Sequence, residues 1–294
     1  MKAMVIRQFE TTLLAVAMAC TPGLPALAQG PGQASSPAQA AIAALGGPDM
    51  RASRLLGADI RTTGGENVGK LQDLIVDVTS GRVHYAVLSY DDTPGANDKL
   101  FVFPIGTFKP AGGADQLVLD IDKDKLGKAP RFDRKRWPDL SNKRFHQEIE
   151  RHFGAGAAQA MPRGQRLARA SELIGRHVDD RAGARAGEIE DLVVNPVSER
   201  LRYVVLDMDK AWSRDDMLVT LPLGAFRFPE RKGRDLVLEM TREEMEPARR
   251  FEENAWPNLN GRFFRREVDA FLARFQKDRE GRQSGAERSS GGSR

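Results

Sequence analysis

GKLQDLIVDVTSGRVHYAVLSY runs from Gly69 to Tyr90, and GEIEDLVVNPVSERLRYVVLDM runs from Gly187 to Met208. Each stretch opens on a glycine, carries an aspartate at the same place (Asp73, Asp191) inside an apolar run, and breaks at a polar turn before a second β-branched-rich run. That pattern predicts a strand at Leu71–Val78, a second at Val83–Tyr90, and a hairpin closed by Thr79-Ser80-Gly81-Arg82. The second copy closes its hairpin with Asn195-Pro196-Val197-Ser198-Glu199-Arg200.

The match extends outward at constant offset. Arg51-Ala52-Ser53 recurs as Arg169-Ala170-Ser171, Gly57 meets Gly175, Gly69 meets Gly187, and Phe132 with Trp137-Pro138 meets Phe251 with Trp256-Pro257. A period this long means one whole domain written twice rather than a solenoid, whose repeats run about 20–50 residues. Further short strands are expected at Gly57–Ile60, Leu100–Phe103 and Leu117–Ile121, with counterparts at Leu218–Leu221 and Leu236–Met240. The expected fold is mainly β with C-terminal helical extensions: two small antiparallel β-barrels in tandem, in which closure protects the sheet edges. Gly69 and Gly187 are placed at bulges or tight corners. Asp73 and Asp191, costly if buried alone, are expected to accept hydrogen bonds from backbone or a neighbouring arginine within their own barrel.

Around this core the chain divides as follows. Residues 51–125 form the first barrel and 126–153 its Trp-Pro turn and helix. Residues 154–168, rich in Gly and Ala, form a linker. Residues 169–245 form the second barrel, 246–276 its turn and helix, and 277–294 a disordered tail. Ser141 and Asn260 are the expected helix caps. Phe145, Ile149 and Phe153, and then Phe264, Val268, Phe271, Leu272 and Phe275, form apolar stripes expected to dock on their own barrel.

The first thirty residues read as an address. Lys2 and Arg7 precede a short apolar run, Thr11–Ala19, and Ala26-Leu27-Ala28 presents small residues for a signal peptidase. Residues 1–28 are thus expected to be a signal peptide cleaved between Ala28 and Gln29, with 29–50 a disordered tether. The alternatives are an uncleaved anchor and lipidation at Cys20. The expected location is periplasmic or secreted, and after cleavage no membrane span remains.

Composition narrows the chemistry. Cys20 is the single cysteine, so neither a disulfide nor a cysteine metal cluster can form within the chain. A net charge of +4, from 45 basic against 41 acidic residues, describes a mixed-sign surface, and no nucleic-acid partner is expected. His84, His146, His152 and His177 lack metal-ligand spacing. Asp120, Asp122 and Asp124 alternate like the start of a calcium loop, but Lys125 stands where that loop needs glycine. No nucleophile elbow, phosphate loop or dinucleotide fingerprint appears. The expectation is a protein without catalytic residues, metal or cofactor. Two acidic loops at equivalent positions, one with Asp91 and Asp92 and one with Trp212, Asp215 and Asp216, are the candidate contacts for a protein partner. Trp212 is the first of them.

The run Gly69–Asp77 with Gly57, Val83–Leu88 and Phe103-Pro104 resembles the PRC-barrel family, which includes the extramembrane domain of the photosynthetic reaction centre H subunit and a domain of a ribosome maturation factor. The second copy resembles the same domain. The resemblance implies a small β-barrel that docks and stabilises larger assemblies, and it implies no catalytic residues. The resulting expectation is a periplasmic interaction or scaffold protein. The alternative is an accessory subunit in photosynthetic-type membrane electron transport.

Overall fold

The computed structural model describes residues 46–89, 99–112, 115–154, 165–212, 217–229 and 234–290, without the side chains of 123–124 and 283–290. The expected leader with Ala28 and Gln29, most of the tether, and Asp91, Asp92, Asp215 and Asp216 lie outside the described residues.

The β-branched runs form strands with both faces covered, which is why they read as nearly unbroken apolar stretches. In chain order the first copy contains β1 (Met50–Arg51), α1 (Ala52–Leu55), β2 (Asp59–Thr62), β3 (Asn67–Asp77) and β4 (Val83–Ser89). It continues through β5 (Lys99–Pro104), β6 (Phe108–Pro110), β7 (Leu117–Leu119), α2 (Lys123–Leu126), β8 (Arg131–Asp133) and α3 (Lys143–Phe153). The second contains β9 (Leu167–Arg169), α4 (Ala170–Leu173), β10 (His177–Asp179), β11 (Arg185–Asn195), β12 (Arg200–Met208) and β13 (Met217–Leu221). It ends with β14 (Phe226–Arg227), β15 (Leu236–Leu238), α5 (Arg242–Met245), β16 (Arg250–Glu252) and α6 (Arg262–Ser290).

These strands make two curled sheets with one topology. The first runs β6-β7-β2-β3-β4-β5-β8 and the second β14-β15-β10-β11-β12-β13-β16. The pairing is not wholly antiparallel, as the sequence suggested. After β5 the chain crosses to the far edge and returns beside β2, so β7 runs parallel to β2, and β15 likewise runs parallel to β10. Gly69 and Gly187 flank bulges: the β2–β3 register skips Val68, and the β10–β11 register skips Ala186. Gly57 and Gly175, at φ +81° and +79°, turn the chain into β2 and β10 in the left-handed region that suits glycine.

The alternation along a strand assigns its faces. Phe101 and Phe103 of β5 join a large cluster that runs continuously through both copies, taking in Leu74, Leu88, Leu192 and Leu206. Leu100 and Val102 face the other way, into a satellite cluster with Ile75, Tyr85 and Ile149 of α3. In the second copy Val193, Tyr203 and Leu218 meet Phe264 and Val268 of α6. Each helix therefore lies on its own sheet, as its stripe suggests, together with the Trp-Pro turn. Phe132 and Trp137 have ring centroids 4.8 Å apart, and Phe251 and Trp256 4.9 Å.

Several boundaries differ from the sequence reading. The tether ends early, because Gly47, Asp49 and Met50 are buried. The linker gives way at its C-terminal end to β9. Helix α6 continues through Ser290 rather than ending at Lys277: Arg279, Glu280, Arg282, Gln283, Ala286, Glu287 and Arg288 are good helix formers and carry it past Gly281 and Gly285. Asn142, not Ser141, caps α3 by accepting from the Arg144 amide at 2.9 Å. The Asn260 side chain is engaged with the Asp49 main chain instead of a helix end.

Candidate functional site

Each copy opens with a short segment, Arg51-Ala52-Ser53 or Arg169-Ala170-Ser171, and each segment lies on the opposite sheet. β1 pairs with β11 of the second copy, and β9 pairs with β3 of the first. Asp191, fully buried in β11, accepts from the Ser53 amide (3.0 Å), the Ser53 hydroxyl (2.5 Å) and Arg51 Nε (2.7 Å). Asp73 in β3 accepts from the Ser171 amide (3.1 Å) and hydroxyl (2.5 Å). These amides belong to the first turns of α1 and α4, where no intrahelical acceptor exists, so each aspartate caps a helix supplied by the other copy. Burial raises the Asp73 pKa, and the two Ser171 bonds act against that rise.

The exchange extends to neighbouring residues. The Arg51 guanidinium lies 3.4 Å from the Trp256 ring centroid, and that of Arg169 lies 4.5 Å from Trp137. Asp77 accepts from the Arg166 amide at 3.2 Å, while its counterpart Asn195 donates to Gly47 at 3.1 Å and to Asp49 at 3.0 Å. Asp49 also accepts from Arg265 Nε at 3.0 Å, which neutralises a carboxylate only 3% exposed. The sequence reading expected backbone or arginine donors to Asp73 and Asp191 within the barrel. The next amide of the same strand does donate to each, Leu74 to Asp73 at 3.0 Å and Leu192 to Asp191 at 2.8 Å, but the serine donors and Arg51 come from the other copy. Arg51, Ser53 and Ser171 are visible in the sequence as a recurring tripeptide, but nothing local says which copy it joins.

The two hairpin turns also meet. Val83 donates to Glu199 (2.9 Å), Leu201 donates to Gly81 (2.7 Å), and Arg82 forms an ion pair with Glu199. Beside this seam lies a cavity of about 410 Å³, walled by Arg82, His84, Asp120, Lys125, Phe153 and Glu199. His84 is 6% exposed and its Nε2 has no hydrogen-bond partner. Burial, reinforced by the Arg82 charge, lowers its pKa to about 4, so the ring is neutral near neutral pH. The cavity can therefore offer hydrogen bonds from a neutral imidazole beside a fixed ion pair. Among the described residues no group of three His, Asp or Glu could hold a metal ion.

A second groove, of about 650 Å³, occupies the equivalent place in the second copy, at the turn Leu223–Ala225 against α6. Its wall is dominated by arginines.

Of the sequence candidates for partner contact, Trp212 is described. It packs against the large cluster under Arg242, whose guanidinium lies 4.9 Å from its ring, and its amide donates to Asp209 at 2.7 Å. His146, which has no metal-like partner in sequence, bridges Tyr85 (2.5 Å) and the Leu140 carbonyl (2.5 Å). No helix among the described residues is long and apolar enough to cross a membrane.

Residues 48–126 match the family model of the PRC-barrel domain. No curated protein matches the chain.

Proposed function

We propose, for a chain that carries a PRC-barrel domain over residues 48–126, a non-enzymatic scaffold in the bacterial envelope built from two such barrels in tandem. The observation that carries this reading is the reciprocal exchange at Asp73 and Asp191. It ties two β units into one body that can present a protein partner with connections from both, and the candidates Asp91 and Trp212 fall in the equivalent connections β4–β5 and β12–β13. Export follows from the leader expected in residues 1–28. The scaffold requires no cofactor or metal.

Two measurements test this reading. N-terminal sequencing of the protein recovered from cells should begin at Gln29. Photo-crosslinkers placed at Asp91 and at Trp212 should capture the same envelope protein. A cytoplasmic location, a different partner from each site, or a robust turnover by the purified protein would each overturn it.

A further inference from the structure

The twin grooves have diverged in charge. In the first, Asp120, Asp122 and Glu199 stand against Arg82 and Lys125. In the second, Arg166, Arg181, Arg227, Arg279 and Arg282 converge on one lining carboxylate, Glu239. These arginines come from separate parts of the chain: the residue before β9, the turn after β10, β14, and two places on α6. A net charge of only +4 over the whole protein makes five converging guanidiniums a marked concentration.

The existing carboxylates do not neutralise the groove. Glu239 is shared between Arg181 (3.2 Å) and Arg227 (2.7 Å), and Arg282 pairs with Glu244 at 2.6 Å. Arg166 donates to the main-chain oxygens of Phe228 (2.7 Å) and Pro229, and Arg279 donates to that of Gly224 (3.0 Å). Those bonds fix the two guanidiniums without cancelling their charge, and each has N–H groups to spare. Phe226, Phe228 and Phe275 line the same groove, and an apolar floor strengthens any ion pair formed above it. Equivalent glycines mark the divergence: a methyl on Gly106 would meet Glu199 Oε1 at 2.8 Å, whereas one on Gly224 would collide with the Arg279 guanidinium.

We propose that this groove binds a ligand bearing phosphate groups with more than one negative charge, held by the planar forks of Arg166 and Arg279 and steered by the other three arginines. A free phosphorylated compound and an anionic phospholipid headgroup share this chemistry. The full-length protein is titrated calorimetrically with pyrophosphate, and co-sedimented with vesicles of phosphatidylcholine with and without phosphatidylglycerol. Binding to pyrophosphate alone identifies a soluble ligand, and binding to phosphatidylglycerol vesicles identifies a headgroup. The double variant Arg166→Gln/Arg279→Gln should weaken whichever binding is seen at least tenfold, while Lys125→Gln in the first groove leaves it unchanged. If the double variant does not fold, Arg181→Gln/Arg227→Gln, which alters exposed side chains, should show a several-fold loss. Absence of binding to both probes, or equal binding by the folded groove variant and the unaltered protein, would overturn the proposal.

Discussion

Ser53 and Asp191 stand 138 residues apart in sequence, yet the serine amide and hydroxyl both reach the Asp191 carboxylate, at 3.0 and 2.5 Å. Ser171 and Asp73, 98 residues apart, repeat the arrangement in the opposite direction. Because Asp191 also holds Arg51 in a part-buried ion pair, Asp191→Ala strands both a cation and a helix terminus. Its expected cost is about 3–5 kcal/mol, read as a lowered midpoint in urea unfolding. Ser53→Ala, which removes the hydroxyl bond but keeps the amide bond, should cost about 1–2 kcal/mol. Equal effects from the two variants would contradict the geometry.

The same exchange predicts that neither copy folds well alone. A fragment of residues 46–154 contains the first sheet and α3 but lacks β9 and Ser171, so the β3 edge and the Asp73 carboxylate lose their partners. It should give broad, poorly dispersed amide spectra. Adding a fragment of residues 165–290 should restore dispersion and raise the unfolding temperature. A sharp native spectrum from the first fragment by itself would count against the exchange.

Two repeat-matched glycines should respond differently to one added methyl. At Gly175 a Cβ would meet only Glu188 Oε1, at an ordinary contact distance of 3.6 Å, so Gly175→Ala carries mainly the left-handed backbone cost, about 1–2 kcal/mol. At Gly187 the methyl would collide with the main-chain oxygen of Asp207 on the neighbouring strand β12. The ladder must then part, and Gly187→Ala should cost about 3 kcal/mol or more. Thermal unfolding of the two variants side by side checks the order.

Acid should weaken the fold as the pH falls from 6.5 towards 4. His84 titrates near 4 in the folded protein against 6.5 when unperturbed, and burial shifts His146 in the same direction. Between those values the unfolded chain binds the proton and the folded chain does not, so stability is full above pH 6.5 and declines as pH falls towards 4. At about 1.4 kcal/mol per pH unit, His84 alone accounts for a loss of about 3 kcal/mol across that window. The raised pKa of Asp73 acts oppositely, favouring the folded state as pH enters the carboxylate range. In His84→Gln the unfolding temperature should fall less steeply between pH 6.5 and 4. An unchanged slope would assign the acid response elsewhere.

The amino-acid sequence by itself determined the duplication, the hairpins that turn at residues 79–82 and 195–200, the irregular strand positions at Gly69 and Gly187, and the helix faces that pack on each sheet. All of these are set by spacing within a few residues: period two along a strand, about four along a helix, and glycine where a side chain has no room. Only the tertiary structure decided that Arg51-Ala52-Ser53 docks on β11 rather than β3, that β7 runs parallel to β2, and that five arginines from distant segments line one groove. The reason lies in the repeat itself. Asp73 and Asp191 offer the same acceptor to the same tripeptide, so local chemistry is satisfied by either pairing. The choice falls to long-range closure, through the bonds of Gly47 and Asp49 to Asn195 and of Arg166 to Asp77, which no short window of sequence contains.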